Sequence, residues 1–253
     1  NKKGNPVACG TAKALGKGHR YPKWLQEQID NLPGVTLPLV SVKSAPRNGV
    51  DLIIKTLKQN KKPTTLLSIG SLTPIAMTLQ KRPNIKSKIK ALYIMGGAMF
   101  VPGHLSDADP TIKNKVAEWN IYFDPVAARY VFKSGLPIYL VPLDATNQAP
   151  ITMHFYNYVA KRATTNIAKL TFEQYKPYKP YIKKHEMFFW DPLAAVIATQ
   201  PTLCRWKKYR LSVRLTPKSQ QGKIDVTQNG GLVHVCMQPN MQQFTGLFLN
   251  RVL

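Results

Sequence analysis

Acidic residues are scarce in this chain. Twelve Asp and Glu stand against 36 Lys and Arg, a net charge of +24 over 253 residues. Each carboxylate is therefore worth locating. Cysteine is scarce too: Cys9, Cys204 and Cys236 are far apart, odd in number and form no CxxC pair. That pattern excludes a zinc site of the usual spacing and gives no disulfide framework, so buried or spare thiols are expected. No apolar run reaches the roughly eighteen residues a membrane helix needs. GxSxG, HExxH and EF-hand patterns are absent, which removes the common hydrolase elbow, the zincins and a calcium loop of that kind. Gly10 to Lys17 imitates a phosphate-binding loop but has five residues between its glycines instead of four, and Gly18 where Ser or Thr should follow. The chain opens Asn1-Lys2-Lys3, without an initiator Met or the apolar core of a signal peptide, so the translation start is expected elsewhere.

What is present describes a globular α/β protein. Hydrophobic residues make up 44%, enough to bury a core at a length that suits one domain. Helical spacing runs over Asn48 to Gln59, Thr73 to Gln80, Pro125 to Ser134 and Ile151 to Arg162. Between them Thr64 to Ile69, Ile89 to Met95 and Pro137 to Leu143 are short apolar strands. Alternation of this kind predicts a mostly parallel sheet with helices on both faces and a Rossmann-like core. Near the C-terminus Arg210 to Leu215, Lys223 to Thr227 and Gly231 to Cys236 predict a small antiparallel element before a helix over Met241 to Leu249.

The positive charge raises nucleic acid as a partner, but the basic residues fall in small groups throughout, which fits a solvated surface and argues against that partner. Lys58 to Lys62, Lys81 to Lys90, Lys113 to Lys115, Lys176 to Lys184 and Arg205 to Arg210 are the main groups. Tyr175 to Lys184 interleaves aromatics with lysines, as a base-stacking strip would; its two prolines fit a loop or short linker equally well.

Ligands of open parallel sheets sit beyond the carboxyl ends of the strands. Ile69-Gly-Ser-Leu-Thr73, Met95-Gly-Gly-Ala98 and Leu143-Asp-Ala-Thr-Asn147 converge there. Between them, Ala117-Glu-Trp-Asn-Ile-Tyr-Phe-Asp-Pro125 places Glu118, Asn120 and Asp124 in a chain poor in acids. Carboxylates among Asn, Thr and Gln suit sugar hydroxyls. The plain alternative for Glu118 is a helix-start or surface carboxylate, and for Asp191 a cap of the helix that follows. Asp107 and Asp109 fit an acidic loop over the pocket.

These segments, with Leu67 to Thr73, Tyr93 to Gly97, Gly135 to Pro137, Val141 to Gln148 and Phe189-Trp-Asp-Pro-Leu-Ala-Ala195, resemble the inosine-uridine nucleoside hydrolases. Those enzymes are calcium-dependent and cleave the N-glycosidic bond of ribonucleosides. Pro6 to Gly10, Gly18 to Pro22 and Trp190 before Asp191 look closest to a branch with a Trp-Asp-Pro signature. The resemblance implies hydrolysis of a small ribonucleoside to base and ribose, with Ca²⁺ as cofactor and a homo-oligomer, dimer or tetramer. It implies that Glu118, Asn120, Asn114 and Met95 hold the ribose, that Trp190 stacks on the base, and that Asp191 and the backbone carbonyl of Ile69 bind calcium. Asp144 is expected to organise the pocket.

Two departures limit the expectation. The family's Asp-rich DxDxxxDD loop, source of its general base and most calcium carboxylates, is absent, so no catalytic base is assignable within residues 1–253. We therefore expect a single domain from which N-terminal strand-helix units are missing. Trp190 also stands where better-known members carry a His, and indole cannot serve as a general acid near neutrality; His185 is the nearest substitute. A nucleoside-binding homologue without turnover, and a basic nucleic-acid binder, are the alternative readings. Cytoplasmic and exported locations both stay open.

Overall fold

The computed structural model describes residues 5–11, 13–16, 19–20, 22–24, 26–27, 32, 34–35 and 48–253. Gly18 and Tyr21 of the Gly18 to Pro22 motif, Lys17 of the loop rejected above, and the opening Asn1 to Gly4 lie outside them.

The chain divides into two compact units. The first comprises Asn1–Arg20, Val42–Asp144 and Trp206–Met237; the second comprises Tyr21–Ser41, Ala145–Arg205 and Gln238–Leu253.

Elements of the first unit follow the expected alternation: α1 (Gly49–Gln59), β1 (Thr64–Ser68), α2 (Thr73–Lys81), β2 (Ile89–Met95), α3 (Leu105–Ala108), α4 (Trp119–Phe123), α5 (Pro125–Phe132), β3 (Ile138–Val141) and, crossing into the second unit, α6 (Leu143–Thr146). The second unit carries α7 (Met153–Arg162), α8 (Asn166–Tyr175), α9 (Lys179–Lys183), α10 (Trp190–Thr199) and α11 (Met241–Val252). Strands β4 (Cys204–Val213), β5 (Ile224–Val226) and β6 (Gly231–Pro239) complete a sheet ordered β1-β2-β3-β6-β4-β5. β1, β2, β3 and β6 run parallel, while β4 and β5 pair antiparallel. The expected class, a mostly parallel α/β sheet with an antiparallel addition, is the class observed.

One sheet face carries the core. Leu92 and Ile94 of β2, Ile138 and Leu140 of β3, and Val233 and Val235 of β6 pack with Leu57 of α1, Ile75 and Leu79 of α2, and Val131 and Phe132 of α5. Period-two alternation in the strands meets helices whose apolar residues recur every three or four positions. Full burial of each such side chain contributes about 2 kcal/mol. Helix α5 starts where Asp124 accepts the Ala127 N–H at 3.0 Å and Pro125 occupies the first turn, a position that needs no donor.

Three expectations are corrected. Tyr175 to Lys184 is helical, running from the end of α8 through a 3₁₀ turn at Lys176–Tyr178 into α9. Its prolines, Pro177 and Pro180, fall in first turns, where the fixed φ favours helix. Cys204 and Cys236 are disulfide-bonded, and Cys9 is a free, exposed thiol. Sequence separation concealed this, because strands neighbouring in a sheet can lie far apart along the chain. β4 also begins six residues before the expected Arg210, its start disguised by the charged run Arg205 to Arg210.

Candidate active site

In the first unit the site is built at the carboxyl end of β2. The chain leaves Met95 through Gly96 and Gly97, whose φ of 85° favours glycine; a β-carbon there would also collide with Ile224. Gly97 donates its N–H to Glu118 Oε2 at 2.8 Å. Glu118 also accepts from Asn120 N–H at 2.8 Å and Ile121 N–H at 3.2 Å, so it is the N-cap of α4. Only 2% of Glu118 is exposed, which makes it the helix-start carboxylate and excludes the surface one. Asn120 donates from Nδ2 to the Met95 carbonyl at 3.1 Å and reaches Met95 Sδ at 3.5 Å. Met95, Glu118 and Asn120 are thus brought together, with the Gly96–Gly97 turn between them.

Asp144 supports that turn. Its two oxygens accept the N–H groups of Met99 at 2.9 Å and Phe100 at 2.8 Å, while Leu143 N–H donates to the Gly97 carbonyl at 2.8 Å. Asp144 thus holds the main chain just after the Gly96–Gly97 turn. Asp124, fully buried, accepts from Thr73 Oγ1 at 2.6 Å and Leu15 N–H at 2.5 Å as well as capping α5; it ties elements together.

Asn114 is placed differently. Its Oδ1 accepts from Val116 and Ala117 N–H, and its Nδ2 donates to the Gln221 carbonyl at 2.8 Å. Sequence reasoning had no access to Gln221, which also bonds His19 Nε2 at 2.7 Å. The His19 ring stacks on Tyr122 at 3.7 Å, and burial lowers its pKa. Nothing local signals a contact between residues 202 positions apart. Asp107 lies in the short helix α3 and Asp109 caps Thr111, so the expected acidic loop is a helical turn. His104, just before it, is pushed down to about 4 by burial, partly offset by Asp107. Ile69 follows the last residue of β1 and is 49% exposed.

In the second unit Phe189 is the anchor. It is buried among Phe155 (4.8 Å), Phe244 (5.2 Å) and Phe248 (5.5 Å), and its N–H donates to the Ala149 carbonyl at 2.8 Å. This fixes the start of α10 and thereby Trp190 and Asp191, which occupy its first turn. Asp191 is not the cap, because Phe189 holds that position and no side chain caps the helix. Burial raises Asp191 to about 6. Tyr175 is raised by burial and then by the Asp191 charge. His185 is exposed, at a φ of 60°.

Calcium takes about six to eight oxygen ligands. Among the described residues no three His, Cys, Asp or Glu side chains gather into a metal-holding group. A carboxylate such as that of Asp191 supplies at most two of those oxygens.

With this geometry in view, comparison with known proteins is decisive about the family. Residues 1–246 match the inosine-uridine preferring nucleoside hydrolases, and the chain belongs to that family. The pyrimidine-specific ribonucleoside hydrolase RihA of Escherichia coli O1:K1 is 37% identical over 153 residues, covering 60% of this chain and 45% of that protein. The match thus spans less than half of the relative's length. Solved structures align over more of the chain. The inosine-uridine preferring nucleoside hydrolase from Bacillus anthracis gives a TM-score of 0.78 at 27% identity, over 98% of this chain and 80% of that one. The purine-preferring ribonucleoside hydrolase from Gardnerella vaginalis gives 0.81 at 25%, over 98% and 79%.

Proposed function

We propose that the protein hydrolyses the N-glycosidic bond of ribonucleosides, releasing base and ribose, and that the Met95, Gly97, Glu118 and Asn120 constellation grips the ribose. The observation that carries this is the Glu118 carboxylate, held by the Gly97, Asn120 and Ile121 N–H groups beside the Asn120 amide and Met95 thioether. Departure of a base leaves positive charge on the sugar. A carboxylate fixed in advance against ribose hydroxyls gains attraction as that charge develops, which favours the transition state over the ground state. Asn114 serves this grip by shaping the loop that leads to Glu118. Trp190 offers an indole face for stacking on the base and no proton for it.

Calcium belongs to the same proposal: a carboxylate such as that of Asp191 and a main-chain carbonyl such as that of Ile69 are ligands a hard cation takes. The protein incubated with uridine, cytidine, inosine and adenosine, with calcium or with chelator, should release free base, measured chromatographically. No free base under any condition overturns the proposal. A second reading is favoured by one observation, that the Asp144 and Asp124 carboxylates of the same unit are already engaged by main-chain and hydroxyl donors: a protein that binds ribonucleosides without cleaving them. Calorimetry showing binding without turnover, abolished in Glu118→Ala, would establish that reading instead.

A further inference from the structure

Two basic groups that lie apart in the sequence line one hollow in the first unit. Helices α1 and α2 and the 3₁₀ turn Pro83–Lys88 pack against one another, and the hollow they form has a volume of about 470 Å³. That size falls in the range of small-molecule sites. Lys58 of α1, Lys81 of α2, and Arg82, Asn84 and Lys88 line it, and the core residue Ile85 gives it an apolar floor. The hollow opens where the strands begin, since the 3₁₀ turn leads directly into β2. The seven residues of β2 then run to Met95, which places the Met95, Glu118 and Asn120 constellation roughly 20 Å away.

Charge in the hollow is unbalanced. Lys58 and Lys81 stand in the last turns of α1 and α2, where a cation complements the helix dipole. Arg82 and Lys88 lie outside both helices and have no such reason to be there. Arg82 is held in place: its main-chain N–H donates to the Thr78 carbonyl at 3.0 Å, its own carbonyl accepts from Ile85 N–H at 3.0 Å, and its Nη1 donates to the Lys81 carbonyl at 3.2 Å. One carboxylate answers the four cations, Asp51, whose Oδ1 meets Lys81 Nζ at 2.6 Å. Among the described residues no carboxylate pairs with Lys58, Arg82 or Lys88. The surrounding chain offers none either, because nine basic residues and no acidic one fall between Asp51 and Asp107. Like charges gathered around a concave surface raise a potential that a bound anion lowers.

We propose that this hollow binds a small polyphosphate, whose several negative charges match the cations that Asp51 leaves uncompensated. The Arg82 guanidinium supplies planar, paired N–H donors suited to phosphate oxygens, and the Lys58 and Lys88 ammonium groups act as point charges. The Asn84 amide adds a neutral donor. A singly charged anion would leave most of the charge unmet, and the concave shape favours a compact anion over an extended one. Inorganic polyphosphate and the triphosphate of a nucleotide share this chemistry.

The test is calorimetry of the full chain with inorganic tripolyphosphate, and separately with ATP, at salt between about 10 and 150 mM. Saturable binding of one anion per chain is expected, weaker at the higher salt. Arg82→Gln should weaken it about tenfold, and Arg82→Lys, which keeps the charge and loses the fork, should recover part of that loss. Lys169→Gln removes the same charge from an exposed position of α8 and should leave binding unchanged. Tighter binding of ATP would assign the phosphates to a nucleotide; equal affinity would show that the phosphates alone suffice, and either result supports the site. Thermal melts check that the variants fold; if Arg82→Gln does not, Lys58→Gln combined with Lys88→Gln replaces it, with the same loss expected. Absence of saturable binding of both anions at the lowest salt overturns the proposal. So does an equal loss in Lys169→Gln and Arg82→Gln, which would trace binding to net charge alone, or several equivalent anions per chain. None of these outcomes bears on ribonucleoside hydrolysis, which rests on other residues.

Discussion

Glu118 holds two structures at once, the first turn of α4 and the Gly97 turn after β2. Removing it leaves buried N–H groups without acceptors. Glu118→Ala should lower unfolding free energy by about 2–4 kcal/mol, combining a lost cap with unsatisfied donors, and should abolish ribonucleoside binding. A denaturant midpoint equal to wild type would contradict the anchoring role. His104 gives the pH counterpart. Its pKa is about 4 in the folded chain against the 6.5 ordinary for a solvated imidazole, so the unfolded state takes up a proton that the folded state refuses. Stability attributable to His104 is complete above pH 6.5 and is lost as pH falls toward 4, by about 3 kcal/mol. In His104→Asn, unfolding followed from pH 7 to 4 should show a correspondingly shallower decline; an unchanged pH dependence would contradict the buried neutral imidazole. Glu118 and Asn120 were legible in the sequence because one short segment carries them. The Asn114 bond to Gln221 was not, because a side-chain amide meeting a main-chain carbonyl 107 residues away leaves no local pattern.

Among the elements, α5 depends on a single buried carboxylate. Asp124 caps the helix, binds Thr73 at the start of α2 and receives the Leu15 N–H. Asp124→Ala should cost about 3 kcal/mol or more, while Asp124→Asn, which keeps an acceptor, should cost less; thermal melts of the two would separate cap loss from charge loss. The central strands and their helices were readable from periodicity because they are buried on the face where Leu92, Ile138 and Val233 meet the helices. Strand β4 was readable only in part. Its cations and rings alternate without an apolar face at its beginning, so the pattern that marks a half-buried strand is missing there. Tyr175 to Lys184 misled for another reason: proline breaks a helix in its interior and begins one in its first turn, and composition does not say which applies.

At the scale of the molecule, the three cysteines divide into one bonded pair and one exposed thiol. Titration of the unfolded, unreduced chain with a thiol reagent should find one reactive group, rising to three after reduction. Reduction should also lower stability by about 3 kcal/mol, the loss expected when a loop of a few tens of residues is no longer closed in the unfolded state. Three thiols before reduction would contradict the pairing. A sequence count of three suggested spare thiols, since nothing in the spacing reveals that the ends of β4 and β6 belong to one sheet. Bonds of this kind persist where the surroundings are oxidising and are rare where thiols are kept reduced. The Cys204 and Cys236 sulfurs therefore act as a recorder: protein taken from its own cells, with its thiols trapped at lysis, carries in that single count the history of the compartment in which it matured.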